Sequence, residues 1–223
     1  MADWGALFTT DSGAPFITPQ SIPLALLSKQ SAQINTGAGA VTSISQAIPS
    51  GRPVIPFVYT TVSSILSYSV NNGICTVSAS KPTGSGIVEV YFFSIFPQPL
   101  PDWGVAVWDS GGVCILTNET RVLTDIEPIG VNGSDSQSGF NINALKPGKI
   151  GIVPSMCGLV TGVINEGGTR PFSSQYFFSS VFDGNSTRVA VALTNGSPPA
   201  GTVNVAYHNM RNRVYSLNLS NYD

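Results

Sequence analysis

Charge is what this chain has least of. Its 223 residues carry 10 Lys and Arg and 12 Asp and Glu, together 10% of the sequence, where soluble domains average about 25%. The net charge of -2 supplies no basic footprint for nucleic acid or an anionic membrane, so neither is expected as a partner. A surface with few charges also lacks the self-repulsion that holds copies apart, which points to a surface largely covered by neighbours. Histidine is scarcer still. The single His208 excludes a metal centre built from two or three histidines of one chain, and in "VAYHNMRNR", at the end of a strand, it reads as a structural or surface histidine. There is no G-x-S-x-G elbow, HExxH or GxxxxGK[ST]. The carboxylates Asp102, Asp109, Asp125, Glu127, Glu166 and Asp183 are scattered over turn-like stretches; a glycosidase needs only two at the right separation, which sequence alone does not give. No catalytic, cofactor-binding or metal-ligating residue is assigned, no cofactor is expected, and the chain reads as a non-enzyme.

Cysteine is scarce as well. Cys75, Cys114 and Cys157 are odd in number and lack CxxC spacing, the pattern of buried free thiols. The opening "MADWGALFTT" has neither a basic stretch nor an apolar run of signal-peptide length, so synthesis and folding in the cytoplasm are expected. The most apolar run, "GIVEVYFFSIF" from Gly86 to Phe96, contains Glu89 and is too short to cross a bilayer as a helix. Asn-x-Ser/Thr triplets at Asn118, Asn132, Asn185, Asn195 and Asn218 fit chance in a chain this rich in Asn, Ser and Thr. "DGNSTR" and "VNGSDSQSG" offer oxygens for calcium but lack the spacing of an EF-hand loop, and read as turn chemistry.

What is abundant is strand and turn material. "RPVIPFVYTTVSSILSYSV", "GICTVSAS" and "GIVEVYFF" are β-branched and aromatic, and the last two alternate with the period of a sheet. The Asn72-Gly73 dipeptide suits the two positive φ values of a type I′ hairpin turn, and Asn195-Gly196 sits equally well between "RVAVALT" and "GTVNVAY". Ser21 to Ser31, with Pro23 inside it, is as compatible with a strand as with a helix.

The chain also repeats itself. "DWGALFTTDSGAPFIT" from Asp3 matches "DWGVAVWDSGGVCILT" from Asp102 without gaps at an offset of 99, and Leu24 matches Leu123 in the same frame. A second match pairs "GIVEVYFFS" from Gly86 with "GTVNVAYHN" from Gly201 at an offset of 115; the extra residues fall in Gly130 to Gly148, which reads as a long loop. The expectation is an all-β protein of two tandem β-sandwich domains, residues 1–100 and 101–223, joined by the stiff Pro-rich "FPQPLPDWG". Trp4, Gly5, Trp103 and Gly104 would anchor the two copies, each indole covering one end of a small sandwich. In "NMRNRVY", Arg211 and Arg213 with Tyr207 and Tyr215 form a candidate interface, since Arg and Tyr are favoured at interface centres.

The Trp-Gly start, the alternating apolar residues, the "DSG" turn and the later Pro-Leu over Asp3 to Leu26, echoed over Asp102 to Thr117, resemble the N-terminal signature of small tail proteins of tailed bacteriophages. The second copy departs from it at "NETRVL", where Pro-Leu is missing. The resemblance implies a structural component of the virion, in the tail, tail tip or a fibre, assembled in the host cytoplasm, with other phage tail proteins as partners. Tail axes impose three- or six-fold symmetry, so a homo-oligomer, trimer or hexamer, is expected. A receptor- or carbohydrate-binding module contacting the host surface through its long loops is the second reading.

Overall fold

A computed structural model describes residues 22–165, 167–193 and 196–223, with the backbone of Phe8–Thr9 and Pro15–Ile17. In chain order, β1 (Phe8–Thr9) and β2 (Pro15–Ile17) form a small hairpin. β3 (Ala25–Gln33) takes the segment that was ambiguous between helix and strand. β4 (Val41–Ala47), β5 (Val54–Thr60), β6 (Ile65–Asn71) and β7 (Ile74–Ser80) follow, and β7 pairs back with both β4 and β6. The β6–β7 connection is the expected tight turn: Asn71 faces Ile74, and Asn72 and Gly73 have φ of 50° and 75°. β8 (Ile87–Ser94) runs antiparallel between β3 and β5.

Beyond the Pro-rich joint, β9 (Ala106–Trp108) and β10 (Cys114–Thr117) make a second small hairpin. β11 (Glu127–Ile129) precedes the expected long loop, part of which is folded: a 3₁₀ turn at Gly139–Asn141 and β12 (Ala144–Pro147) occupy it. β13 (Ile150–Ile152) pairs with β5, and β14 (Met156–Asn165) makes a long hairpin with β15 (Thr169–Phe182), which also meets β5 in parallel. β16 (Ser186–Leu193) pairs with β12 and β15; β17 (Thr202–Asn209) pairs with β14; β18 (Val214–Asn218) pairs with β11 and β13, and a 3₁₀ turn at Leu219–Tyr222 ends the fold. Among the described residues β16 and β17 are not paired with each other; the expected turn at Asn195-Gly196 lies partly outside the described residues.

The all-β class is as expected. The two tandem sandwiches are not confirmed. Strands from both sides of residue 100 enter one 11-stranded sheet, through β5 with β13 and β15. One core cluster likewise joins Val58, Val90 and Phe92 to Ile152, Cys157, Phe178 and Val214. The reason is the character of β5 and β8. Their runs "VIPFVYT" and "IVEVYFFS" are almost continuously apolar, so both faces need cover. One face packs under the β4–β7–β6 sheet and the strands beyond residue 100, the other under Leu217 of β18 and Leu219 and Tyr222 of the C-terminal turn. On the second face Phe93 lies edge-on to both Phe57 (5.7 Å) and Tyr222 (4.9 Å).

The opening repeat is nevertheless structural at the level of the hairpin. Phe8 faces Ile17 and Thr9 faces Pro15 in the first; Val107 faces Leu116 and Trp108 faces Cys114 in the second, the same pairs at the same offset of 99, interrupted by a register shift at the same place. The segments after the two hairpins pair with each other: Ala25 bridges Val122, and the Leu123 amide donates to the Leu24 carbonyl at 2.8 Å. The second match behaves otherwise. β8 is buried between two strands, whereas β17 pairs only with β14 among the described residues and is mostly exposed.

Candidate functional site

The densest polar constellation gathers on the aromatic face of β5 and β8. Strand register puts it there, because Tyr59 faces Glu89, and Tyr91, two residues on and on the same side, faces Lys29 of β3. Lys149, just ahead of β13, and Asp223, just after the last 3₁₀ turn, complete it. The Tyr59 hydroxyl donates to Glu89 Oε2 at 2.5 Å and the Tyr91 hydroxyl to Asp223 Oδ1 at 2.5 Å. Lys29 Nζ lies 2.6 Å from Asp223 Oδ1 and 3.4 Å from Glu89 Oε1; Lys149 Nζ lies 2.5 Å from Asp223 Oδ2 and 3.9 Å from Glu89 Oε2. Each ammonium also sits over a tyrosine ring, Lys29 over Tyr91 and Lys149 over Tyr59.

The cluster balances itself: two carboxylates meet two ammoniums, and both phenols donate into the carboxylates. Desolvation, then the bond to Glu89, pushes the Tyr59 hydroxyl well above its ordinary value; desolvation, then the bond to Asp223, does the same for Tyr91. Asp223 resists its own desolvation, because hydrogen bonds from Lys149, Lys29 and Tyr91 hold its carboxyl well below the usual range. Its hydrogen bond to Asp223 raises Lys29 against the opposing effect of burial. The two phenols are thus held protonated, and both carboxylates face ammoniums. What the arrangement does is latch the C-terminal turn onto β3, β5 and β8. The six groups span 194 positions, from Lys29 to Asp223, so no local pattern announces them. One signal was visible: Glu89 interrupts the most apolar run in the chain, and a carboxylate in a strand covered on both faces must be paired.

Of the four interface candidates, Arg213 and Tyr215 are brought together and the other two lie apart. Tyr207 stands on β17 opposite Val160 and is 58% exposed. Tyr215 stands on β18, where it lines an apolar cleft of about 360 Å³ with Ile55, Phe57, Tyr68, Ile126 and Val153. Arg213 joins it, its guanidinium 5.7 Å from the ring centre. Arg211 instead holds Asp135 at 2.5 Å. The chain between these strands leaves the sheet: Arg211 has a φ of 54°, and the Met210 amide donates to the Cys157 carbonyl. His208 is exposed on β17.

Of the repeat anchors, Trp4 and Gly5 lie outside the described residues, as does Glu166. Among the described residues Trp103 covers no core: it is 82% exposed, and Leu100, Val105, Trp108 and Val113 around the same hairpin are exposed too. Gly104 does have a backbone reason, a φ of 126° with a Cβ position 2.1 Å from Asn118 Oδ1, the atom that accepts from the Val105 amide. Gln98 ties the Pro-rich joint to this hairpin, its amide donating to the Cys114 carbonyl at 2.9 Å.

The remaining carboxylates do turn chemistry or face solvent. Asp183 accepts from the amides of Ser186 and Asn185, which lower its pKa, and so shapes the β15–β16 turn. Asp125 and Glu127 line a cleft of about 430 Å³, where both are exposed and Glu127 pairs with Lys146 at 3.3 Å. The three thiols are free and buried, and desolvation pushes Cys75 up to about 11 and Cys157 up to about 12. No family model, no curated protein and no solved structure matches the chain.

Proposed function

We propose that this chain is a non-enzymatic structural subunit of a phage virion, in the tail or tail tip, which associates with copies of itself and with other tail proteins. The observation that carries the assembly part is the hairpin at Ala106–Thr117 with its approach: Trp103, Val105 and Trp108 are 82%, 60% and 51% exposed, on a protein with few charges to oppose association. Single apolar side chains at a surface mean little, but several on one small hairpin mark a contact surface. The repetition of that hairpin supports an element made to be used twice. Among the described residues the carboxylates are paired with lysines or an arginine, engaged in a turn or open to solvent, which favours assembly over catalysis. The placement in a phage tail rests on the resemblance of the opening motif.

The test is to purify the chain and a Trp103→Ser variant and compare their assembly. The substitution is expected to change folding stability by less than about 0.5 kcal/mol, as at other exposed positions, while weakening association. Placement in the particle is tested by mass spectrometry and antibody labelling of purified virions; absence of the chain from them would end the virion reading. The receptor- or carbohydrate-binding alternative draws on the same exposed indoles, which are suited to stacking on sugar rings. It predicts that purified protein adsorbs to host cells and blocks infection.

A further inference from the structure

We infer that the free edge of β17 is a self-pairing interface, at which two copies of the chain join their sheets antiparallel across a two-fold axis passing by Tyr207. The inference deepens the assembly reading above and rests on it. Its starting point is the second internal match. Val88, Val90 and Phe92 of β8 correspond in sequence to Val203, Val205 and Tyr207 of β17. In β8 these three are 1%, 0% and 0% exposed, enclosed because β3 and β5 flank the strand. In β17 they are 42%, 40% and 58% exposed, with β14 on one edge and, among the described residues, no strand on the other. A row of core-strand character is thus left bare on a strand with an open ladder, the geometry of strand addition.

The occupant follows from charge and register. Thr202–Asn209 contains no Lys, Arg, Asp or Glu, the residues with which sheet edges are usually protected from pairing. Two such strands side by side bring no like charges together. Asn204, with φ of 52°, marks an irregularity near the start of the strand, and the register against β14 shifts between Thr161 and Val163. The stretch in regular register with β14 is therefore Ala206 to Asn209, and its exposed aromatic residue, Tyr207, is the natural centre for a two-fold. Antiparallel self-pairing about that centre sets Tyr207 against its own copy, Ala206 against His208 and Val205 against Asn209. An aromatic pair at the axis is among the favourable cross-strand contacts. Beside it Val160, the β14 neighbour of Tyr207, is fully buried, so the added strand extends an existing core face.

The experiment is cysteine cross-linking of the full chain with a mild thiol oxidant, read by mass. Tyr207→Cys is expected to give disulfide-linked dimers, because cross-strand partners at a two-fold lie within disulfide reach. His208→Cys, whose copies would sit diagonally about 8 Å apart, is expected to stay unlinked, and the native thiols are buried. Tyr207→Lys, which sets like charges opposite each other, is expected to raise the dissociation constant at least about tenfold while the circular dichroism stays unchanged. If the wild-type chain assembles but Tyr207→Cys stays unlinked and Tyr207→Lys assembles equally well, the β17 interface is wrong and the assembly reading stands. If the wild-type chain is monomeric at every concentration, both fall.

Discussion

Replacing Asp223 by Asn isolates the charge of the C-terminal latch from its shape. The variant keeps an acceptor for the Tyr91 hydroxyl but removes the negative partner that lies 2.6 Å from Lys29 and 2.5 Å from Lys149. The Asp223 side chain is 37% exposed, so water screens both pairs, and after that discount the loss is about 1–2 kcal/mol. For a chain of this length it corresponds to a fall in Tm of about 2–8 °C. The pH dependence identifies the cause. The folded pKa of Asp223 lies below its unfolded value, so its contribution is complete above the ordinary carboxylate range and disappears as pH falls through the folded value. Wild type and variant should therefore differ at neutral pH and converge in strong acid, as pH falls through the folded value of Asp223. The contribution of Lys29, whose folded pKa is raised, runs the other way: it is present below its unfolded value and lost as pH rises through the folded one. Glu89→Ala is the companion. Glu89 is only 9% exposed and accepts from Tyr59; removing it leaves the buried Tyr59 hydroxyl without an acceptor and both lysines facing the single carboxylate of Asp223, at a cost of about 3 kcal/mol. Urea unfolding across pH measures all three proteins. An Asp223→Asn deficit that persists undiminished into strong acid, or one as large as that of Glu89→Ala, would refute the reasoning.

Phe92→Ala empties a fully buried site in the core shared by both halves and should cost about 3–5 kcal/mol; denaturant unfolding should still show one transition, whereas two would mean that the halves unfold separately. Gly104→Ala must leave a φ of 126° and push aside Asn118, so the amides of Val105 and Asn118 should exchange at least about tenfold faster in hydrogen-exchange measurements. Cys75 and Cys157, both fully buried and pushed up to about 11 and about 12, should react with a thiol reagent only as fast as the protein opens, which stopped-flow labelling in mild denaturant would show.

What could be read in the sequence was what local chemistry decides. Alternation and β-branched runs placed β6, β7 and β8, and the Asn72-Gly73 turn closed where its φ values require. The repeated hairpin was legible because its residues lie within sixteen consecutive positions and pair with each other. The single sheet was not: β5 meets strands about a hundred residues away, and such pairing leaves no trace in a local window. The same holds for Lys29, Glu89, Lys149 and Asp223, which come together only through strand register and the final turn. Trp103 was misread because an indole usually seeks a core, and nothing in "PDWGV" shows that, among the described residues, no core lies within its reach. Tyr207 and Tyr215 are neighbours in sequence, but the turn at Arg211 sends their strands to different places in the sheet.

Sedimentation equilibrium of the intact chain over a wide concentration range is the most direct measurement. A mass rising from 23.3 kDa to a defined multiple, with Trp103→Ser shifted to higher concentration, is the expected result. A single 23.3 kDa species at millimolar protein, with its exposed indoles still in water, would contradict an assembly subunit outright.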